Sequence, residues 1–409
     1  MADQLAIGSR RGLKPALPLL LPAYLWLTVA IFLPLSAMVF FSFMTDLPLA
    51  GKEWSFTLGN YAAFFSQSLY STLLFASLRL GLEVTLWCVV IGYPAAYVLA
   101  KVLKGRGREA IFLLVILPFW SNGLVRIFSW AMVLREGGIL DTALNAVLPF
   151  KINIDLMYSY PAVIIGLVHS YVPYMVLTCY LTLQAIDDSL IEAGRSLGAS
   201  RRQVLWRVII PLSMPGLIAG AALIFVPVVG SFMEPRILGG RTGTFYGTVI
   251  EDQFVAVFNW PLGAALSFIL LAVVLIILAL AAMPFLSRGL NALALGEATA
   301  GHLGIPVQRL KYIAIVGVSA AVGASVAVSG GIGFIGIVVP HVLRLAIGPD
   351  NRYLLPASAL LGASLLLIAD AVARTIVAPA ELPIGIVTAV AGAPFFLWIL
   401  LRKRGVIDL

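Results

Sequence analysis

Apolar residues arrive in long runs separated by short polar stretches. The runs cover Leu17–Phe43, Ser71–Leu99, Ala110–Leu134, Tyr160–Leu183 and Met214–Pro235, then Leu262–Phe285, Tyr312–Ser329, Gly333–Ile347, Leu355–Val377 and Pro383–Leu401. A helix crosses the hydrocarbon core with about 20 apolar residues. Ten such runs predict an all-α integral membrane protein, a polytopic bundle of about ten transmembrane helices. The eighth run is the weakest, since its 15 residues rise only ~22 Å as a helix. The first follows Arg10, Arg11 and Lys14 and is far longer than the 7–15 apolar residues of a signal peptide. It is read as a retained span.

Composition agrees with this pattern. Of 409 residues, 61% are apolar and 11% charged, against about 45–50% and about 25% in soluble domains. The mean hydropathy of +1.02 excludes an ordinary soluble enzyme and a disordered chain. The 37 Gly and 23 Pro suit membrane helices, whose freed backbone groups find new partners on neighbouring helices. With both termini on one side, most of the 27 Lys and Arg fall on that side, which the positive-inside rule makes cytoplasmic. The net charge of +8 is thereby explained without nucleic acid. Cys88 and Cys179 sit within apolar runs and form no disulfide framework. No phosphate-binding Gly-x4-Gly-Lys-Ser/Thr loop, His-Glu-x-x-His or Cys-x-x-Cys is present, and the three histidines are far apart. No catalytic or metal site is expected, and the chain carries no ATPase site of its own.

One polar loop, residues 187–211, has more structure than positive-inside bias requires. It reads as a short helix holding Glu192, Ala193 and Gly194, a break at Leu197-Gly198, a basic amphipathic helix, and Pro211 opening the next span. The small residues beside Glu192 leave a bare surface that a second protein could approach closely. The stretch resembles the EAA loop of ABC importer permeases, with Gly194 in place of the second alanine. The resemblance implies that Glu192, Ala193, Gly194, Leu197, Gly198 and Pro211 belong to a coupling element that docks on an ATPase subunit.

Further stretches are Gly92-Tyr93-Pro94-Ala95-Ala96-Tyr97, Leu117-Pro118-Phe119-Trp120, Leu238-Gly239-Gly240 and Asn259-Trp260-Pro261-Leu262-Gly263. With them, residues 1–287 resemble the spermidine/putrescine type of ABC permease, six spans with the EAA loop. After Arg288 the character changes. Leu295-Gly296-Glu297, Leu303-Gly304-Ile-Pro306, Gly333-Phe334-Ile-Gly336, Pro340-His341 and Gly392-Ala-Pro394-Phe395 resemble the C-terminal part of the FecCD family, permeases for iron-siderophores, haem and cobalamin. Residues 288–409 would then supply a second coupling-like loop at 290–311 and four spans. Gly194-x-x-Leu197-Gly198 parallels Ala300-x-x-Leu303-Gly304, each shortly after a Glu-Ala pair. Glu297, Ala300, Leu303 and Gly304 are therefore taken as a second ATPase-coupling set. The chain reads as a hybrid of six type-I-importer-like spans followed by four type-II-importer-like spans.

Ionisable groups inside spans are costly and mark candidate sites. Arg79 and Glu83 are spaced to pair along one helix face. The candidate substrate path comprises Trp120, Arg126, Trp130, His169, Tyr171, Tyr174 and Glu234. A polyamine needs carboxylates and aromatic faces, which Glu234 with Trp120 and Trp130 could offer. Arg126 and Arg236 would oppose a polycation. Aromatic packing is the plainer account of His169, Tyr171 and Tyr174 around Pro173. Gly216-x-x-x-Gly220 and Gly385-x-x-x-Ala389-x-x-x-Ala393 provide small faces for helix packing.

The resemblance implies a permease subunit of a binding-protein-dependent ABC importer in a bacterial inner membrane, with both termini cytoplasmic. It implies a dimer of ABC ATPase subunits, a second permease subunit or a homodimer copy, and a periplasmic solute-binding protein. The lipid bilayer is its solvent. No cofactor is expected on this chain, ATP and Mg being held by the ATPase. A polyamine such as spermidine or putrescine is the expected solute, an iron-siderophore, haem or cobalamin the alternative. An ion-coupled secondary transporter and a non-functional hybrid are the alternatives of other classes.

Overall fold

The computed structural model describes residues 25–26, 28–30, 32–47, 53–120, 122–147, 156–315, 317–318, 335–376, 387–388 and 390. Most of the seventh and tenth apolar runs, and the Gly385-x-x-x-Ala389-x-x-x-Ala393 face, lie outside the described residues. The chain forms two compact units, residues 1–270 and 271–409. The described residues are helical apart from loops and one isolated bridge between Met44 and Phe56.

In the first unit, residues 32–42 are helical. After them come α1 (Gly59–Ser66), α2 (Ser68–Tyr97), α3 (Gly105–Trp120), α4 (Gly123–Leu134), α5 (Ile139–Val147) and α6 (Tyr160–Gln184). Next are α7 (Asp188–Ser196), α8 (Arg201–Val204), α9 (Ile210–Val229), α10 (Tyr246–Val255) and α11 (Trp260–Ala294). The boundary between the units falls within α11. The second unit contains α12 (Glu297–His302), α13 (Ile335–Ile347) and α14 (Asn351–Ile376).

The core of the first unit is the packing of α2, α6 and α9, with Val84, Cys88, Leu167, Met175, Cys179 and Ile224 fully buried. Lipid is as apolar as leucine, so these helices gain little from burial alone. Close van der Waals approach must hold them, and small residues permit it. A Cβ on Gly216 would lie 2.2 Å from the Thr182 hydroxyl and 2.6 Å from the Thr178 carbonyl. A Cβ on Gly220 would lie 2.4 Å from the Thr178 hydroxyl. The Gly216-x-x-x-Gly220 face is thus the contact of α9 with α6, as expected of it. Gly92 meets Met175 in the same way. Tyr93 and Ser213 share a hydrogen bond of 2.7 Å between α2 and α9.

Five described helical stretches have the length and apolarity to cross a membrane: Ser68–Val102, Tyr160–Gln184, Arg201–Val229, Trp260–Ala282 and Asn351–Ala373. Three expectations about individual spans are corrected. Ala110–Leu134 is not one helix: α3 stops at Trp120, and the Asn122 side chain accepts the Leu124 amide at 2.9 Å to cap α4. Asparagine is a better cap than a helix-interior residue, and Gly123 after it opposes an unbroken helix. Pro211 does not open the fifth span. The helix runs unbroken from Arg201, and a π turn at Leu205–Ile209 precedes the proline, widening the coil where its ring would crowd a carbonyl. The sixth helix extends to Ala294, nine residues beyond Phe285. Of the eighth run, the described part, Ile335–Ile347, is a helix of 13 residues, and Gly333 and Phe334 lie outside the described residues.

Candidate functional site

The loop of residues 187–211, expected to serve in coupling, is built from local signals. Asp187 caps α7 by accepting the Ser189 amide at 2.9 Å. That bond, aided by the positive charge of Lys101, holds its carboxyl below the ordinary aspartate value. At the other end, the Gly198 amide donates to the Arg195 carbonyl at 2.9 Å and the Ala199 amide to the Gly194 carbonyl at 3.1 Å. This pair of bonds is a Schellman motif, and Gly198 takes the left-handed φ of +82° that it demands. Ser200 and Gln203 then form a reciprocal capping box that starts α8. Glu192, Ala193 and Gly198 are exposed, and Leu197 is 88% exposed. Gly194 is half-buried, with room for a Cβ at 3.4 Å from Val204.

The second unit repeats this geometry. Around α12 the Gly304 amide donates to the Gly301 carbonyl at 3.0 Å and the Ile305 amide to the Ala300 carbonyl at 3.1 Å. Gly304 has φ +77°, and Leu303 is 63% exposed. Ala300, matching Gly194, is buried. Glu297 forms an ion pair with Lys311. Between α11 and α14, Asn291 donates to Asp350 at 2.7 Å. The Arg352 amide, which donates to the same carboxylate at 2.9 Å, and then the Asn291 amide hold the Asp350 carboxyl below its ordinary value.

By sequence, Lys101 only adds to the basic side of the membrane. The structure gives it a specific position. It lies in a π turn, Val98–Val102, that ends α2. Its ammonium donates to the Ile186 carbonyl at 2.6 Å and to an Asp188 carboxylate oxygen at 2.7 Å. Its side chain is only 9% exposed. The one signal available in the sequence is a lysine two residues past the end of an apolar run and seven after a proline.

Several candidate path residues converge. Tyr171 lies within electrostatic reach of Glu234, Tyr174 and Arg126, and its ring centroid is 5.9 Å from that of Tyr174. His169 lies within reach of Arg126 and meets Trp130 edge-on at 5.4 Å. The His169 Nδ1 is buried without a hydrogen-bond partner. Trp130 and His169 line an apolar groove of about 570 Å³ with Trp87 and Val172. Glu234 accepts a 2.8 Å hydrogen bond from Ser231. Trp120 ends α3, and its side chain is outside the described residues.

Arg236, one of the two arginines expected to oppose a polycation, and Arg79 within a span both carry their own counter-ions. Arg236 pairs with Asp252 and, at 2.8 Å, with Glu251, both on α10. Arg79 donates to Glu83 at 2.7 Å, as the spacing foretold. Tyr160 donates to the other oxygen of Glu83 at 2.8 Å, and the Arg79 guanidinium lies 5.9 Å from the Tyr160 ring centroid. Sequence reasoning missed Tyr160, Glu251 and Asp252, because each belongs to a different element from the arginine it serves.

Comparison with known proteins gives two family matches. The model described as the binding-protein-dependent transport system inner membrane component covers residues 89–292. That of the FecCD transport family covers residues 244–402. The two overlap over 244–292, across the boundary expected at 287. The spermidine/putrescine transport system permease protein PotB of Escherichia coli (strain K12) is 40% identical over 242 residues, 59% of this chain and 87% of that protein. The hemin transport system permease protein HmuU of Yersinia pestis is 53% identical over 118 residues, 29% of this chain and 35% of that protein. Among solved structures, a chain of a bacterial ABC transporter involved in the import of the acidic polysaccharide alginate aligns with a TM-score of 0.51 at 16% identity. That alignment covers 68% of this chain and 96% of that one, and it speaks to the fold alone. Relatives of this class are permease subunits rather than ATPases. With the EAA-type loop, the helical membrane fold and these two matches together, the chain belongs to the binding-protein-dependent ABC transporter inner membrane components, as a multi-pass permease subunit with a FecCD-type segment following the polyamine-permease-like one.

Proposed function

We propose that the chain carries a small polyamine, such as spermidine or putrescine, into the cytoplasm by ATP-driven alternating access. The observation that supports this best is the paired rings of Tyr171 and Tyr174, with Tyr171 in electrostatic reach of Glu234, while Arg236, two residues beyond Glu234, is neutralised by two carboxylates. A carboxylate with aromatic faces attracts an alkylammonium through charge and cation–π contact. Arg126 also reaches Tyr171 and has interactions of its own, so the path is amphoteric rather than simply acidic. The likeness to PotB agrees with this reading.

In this reading a dimer of ABC ATPase subunits docks on the exposed surface around Glu192, Leu197 and Gly198, with Glu297, Leu303 and Gly304 as a second docking element. ATP and Mg stay on the ATPase. A second permease subunit or a copy of this chain completes the path, and a periplasmic binding protein delivers the solute. Both termini are cytoplasmic, and the polyamine-type and FecCD-type parts meet near residue 287. ATP drives transport only by favouring one conformation of the spans over the other.

The test is uptake of labelled putrescine by cells lacking their own polyamine permeases and given this chain with its partners. Uptake that needs ATP, and that falls at least tenfold in Glu234→Gln, supports the assignment. Absence of polyamine uptake alongside import of haem or an iron chelate would move the assignment to the FecCD-type substrates, a reading favoured by the 53% identity to HmuU over 118 residues.

A further inference from the structure

We infer that Lys101 is a positioning residue that locks the coupling helix α7 to the transmembrane helix α2, so that the two move as one body when the ATPase acts. The inference rests on the ATPase-docking role proposed above for α7, and it assigns a function to a side chain that touches neither solute nor nucleotide.

α7 has covalent connections only to its sequence neighbours, α6 before it and α8 after it. α2 is separated from it by 85–87 residues. A docking element that shifts with nucleotide state therefore needs a non-covalent link to act on α2. Lys101 supplies one. Its ammonium satisfies the Ile186 carbonyl, left over where α6 has ended, and pairs with Asp188 in the first turn of α7. One cation thus closes the C-terminal end of one helix and the acidic start of the next, the two places where helix dipoles favour opposite partners. Asp187, beside Asp188, also feels its charge.

Two features make the contact stiff rather than incidental. The Lys101 side chain is 9% exposed although Asp188 is 74% exposed. The stem is therefore packed while the carboxylate stays hydrated, and little screening reaches the ammonium's bond to Ile186. Leu99 beside it and Ile186, Ile191, Val204 and Ile209 around the loop are all buried. The second feature is the π turn. The Leu103 amide reaches back five residues to the Val98 carbonyl at 2.9 Å, and Pro94, four residues before Val98, removes one amide from the preceding ladder. A π turn inserts one extra residue into the coil and re-aims the side chains beyond it. Lys101 lies within that irregularity, and its ammonium reaches the start of α7 from there.

The experiment places spin labels at Leu190→Cys on α7 and Lys104→Cys beyond the π turn that ends α2, both exposed, in the assembled complex of permease, ATPase and binding protein. Cys88 and Cys179 are buried and can be replaced by serine or alanine if they label. With Lys101 intact, the two labels keep one distance with and without a non-hydrolysable ATP analogue. In Lys101→Met, which keeps the stem and removes the charge, ATP hydrolysis stays within twofold of wild type, but the distance shifts or broadens on adding the analogue. Putrescine uptake per ATP falls at least tenfold. Asp188→Asn, at an exposed position, produces a smaller change of the same sign, and Lys101→Arg restores part of the coupling. An unchanged label distance in Lys101→Met would overturn the inference, as would a complex that no longer retains its ATPase, since Lys101 would then serve docking rather than transmission. The label distances do not depend on the solute. If wild type carries no putrescine, the polyamine assignment fails while the role of Lys101 is still decided.

Discussion

Gly198 shows how much one residue can decide. Its φ of +82° costs an L-residue about 1–2 kcal/mol, and nothing lies within 4 Å of where its Cβ would be. A side chain there has space within this chain and would project onto the surface proposed above for ATPase docking. We predict that Gly198→Asp and Glu192→Lys insert into the membrane at wild-type levels but fail to retain the ATPase in a pull-down. Retention at wild-type level by either variant would show that the ATPase docks elsewhere. Asp187 gives a pH dependence. Its folded carboxyl has a lowered pKa, so its cap contributes stability above the ordinary aspartate value and loses it as pH falls below that value toward the folded one. The difference in thermal midpoint between wild type and Asp187→Ala in detergent should be full at pH 7 and should close as the medium is taken below about pH 4. A difference that is constant with pH would mean that Ser189 is capped by another group.

At the scale of the element, the runs of apolar residues make helices foreseeable but not their breaks. α2, α6 and α14 fall nearly where hydropathy places them, because length and apolarity are sufficient signals for a span. The break at Asn122 is harder to see. A cap residue and a glycine inside a 25-residue apolar run are local signals, and a window of membrane length averages them away. The π turns before Pro211 and after Tyr97 are not legible either, since a proline announces a disturbed ladder without saying how it is relieved. The candidate site is legible in part. The Glu-Ala-Gly loop, its left-handed glycine and the i, i+4 pair Arg79–Glu83 come from spacing along one element. Tyr160 on Glu83, Glu251 and Asp252 on Arg236, and Lys101 on Ile186 join distant segments, and no periodicity encodes them. Packing supplies a prediction at this scale. Gly216→Leu should force α9 off α6, where a Cβ already lies 2.6 Å from a backbone carbonyl. Overpacking of this kind costs about 1–3 kcal/mol, and unfolding in detergent should register it, whereas Gly107→Leu, with open space at its Cβ, should be silent.

For the whole molecule, the outstanding issue is which part carries transport. The first 287 residues hold six expected spans and one coupling loop, while residues 288–409 resemble only a C-terminal portion of their family, 35% of HmuU being matched. A complete path is expected to work where a fragment does not. A chain ended after Arg288 should insert and still support ATP-dependent uptake with its partners, and Gly304→Asp should be mild where Gly198→Asp is severe. If truncation abolishes uptake with insertion intact, or if Gly304→Asp is the more harmful change, the second loop is the working coupler. Orientation has its own test. A reporter fused after Arg404 should be active only in a cytoplasm-dependent form, and one near Asp141 or Glu251 only in a periplasm-dependent form.

The Schellman turn at 194–199 and its counterpart at 300–305 have a consequence for interchangeability. The two bonds that define each Schellman turn close within six residues, and one further bond ties each leucine amide to the residue just before the hexapeptide, Ala193 or Thr299, so the shape of either turn is specified almost wholly by the hexapeptide. The two hexapeptides share the leucine and the left-handed glycine but differ in what lies beside them, Arg195 and Ser196 in one, Gly301 and His302 in the other. Identity of form with difference of dressing is the arrangement of a common plug with two keys. Transplanting residues 300–305 into positions 194–199 should leave the fold intact and change only which ATPase is retained. Two ATPases, one of the polyamine type and one of the haem type, offered in competition to the wild-type and transplanted chains would read that preference directly. An unaltered preference would place recognition in Glu192 and the basic helix after Ser200, with the hexapeptide serving as a neutral hinge.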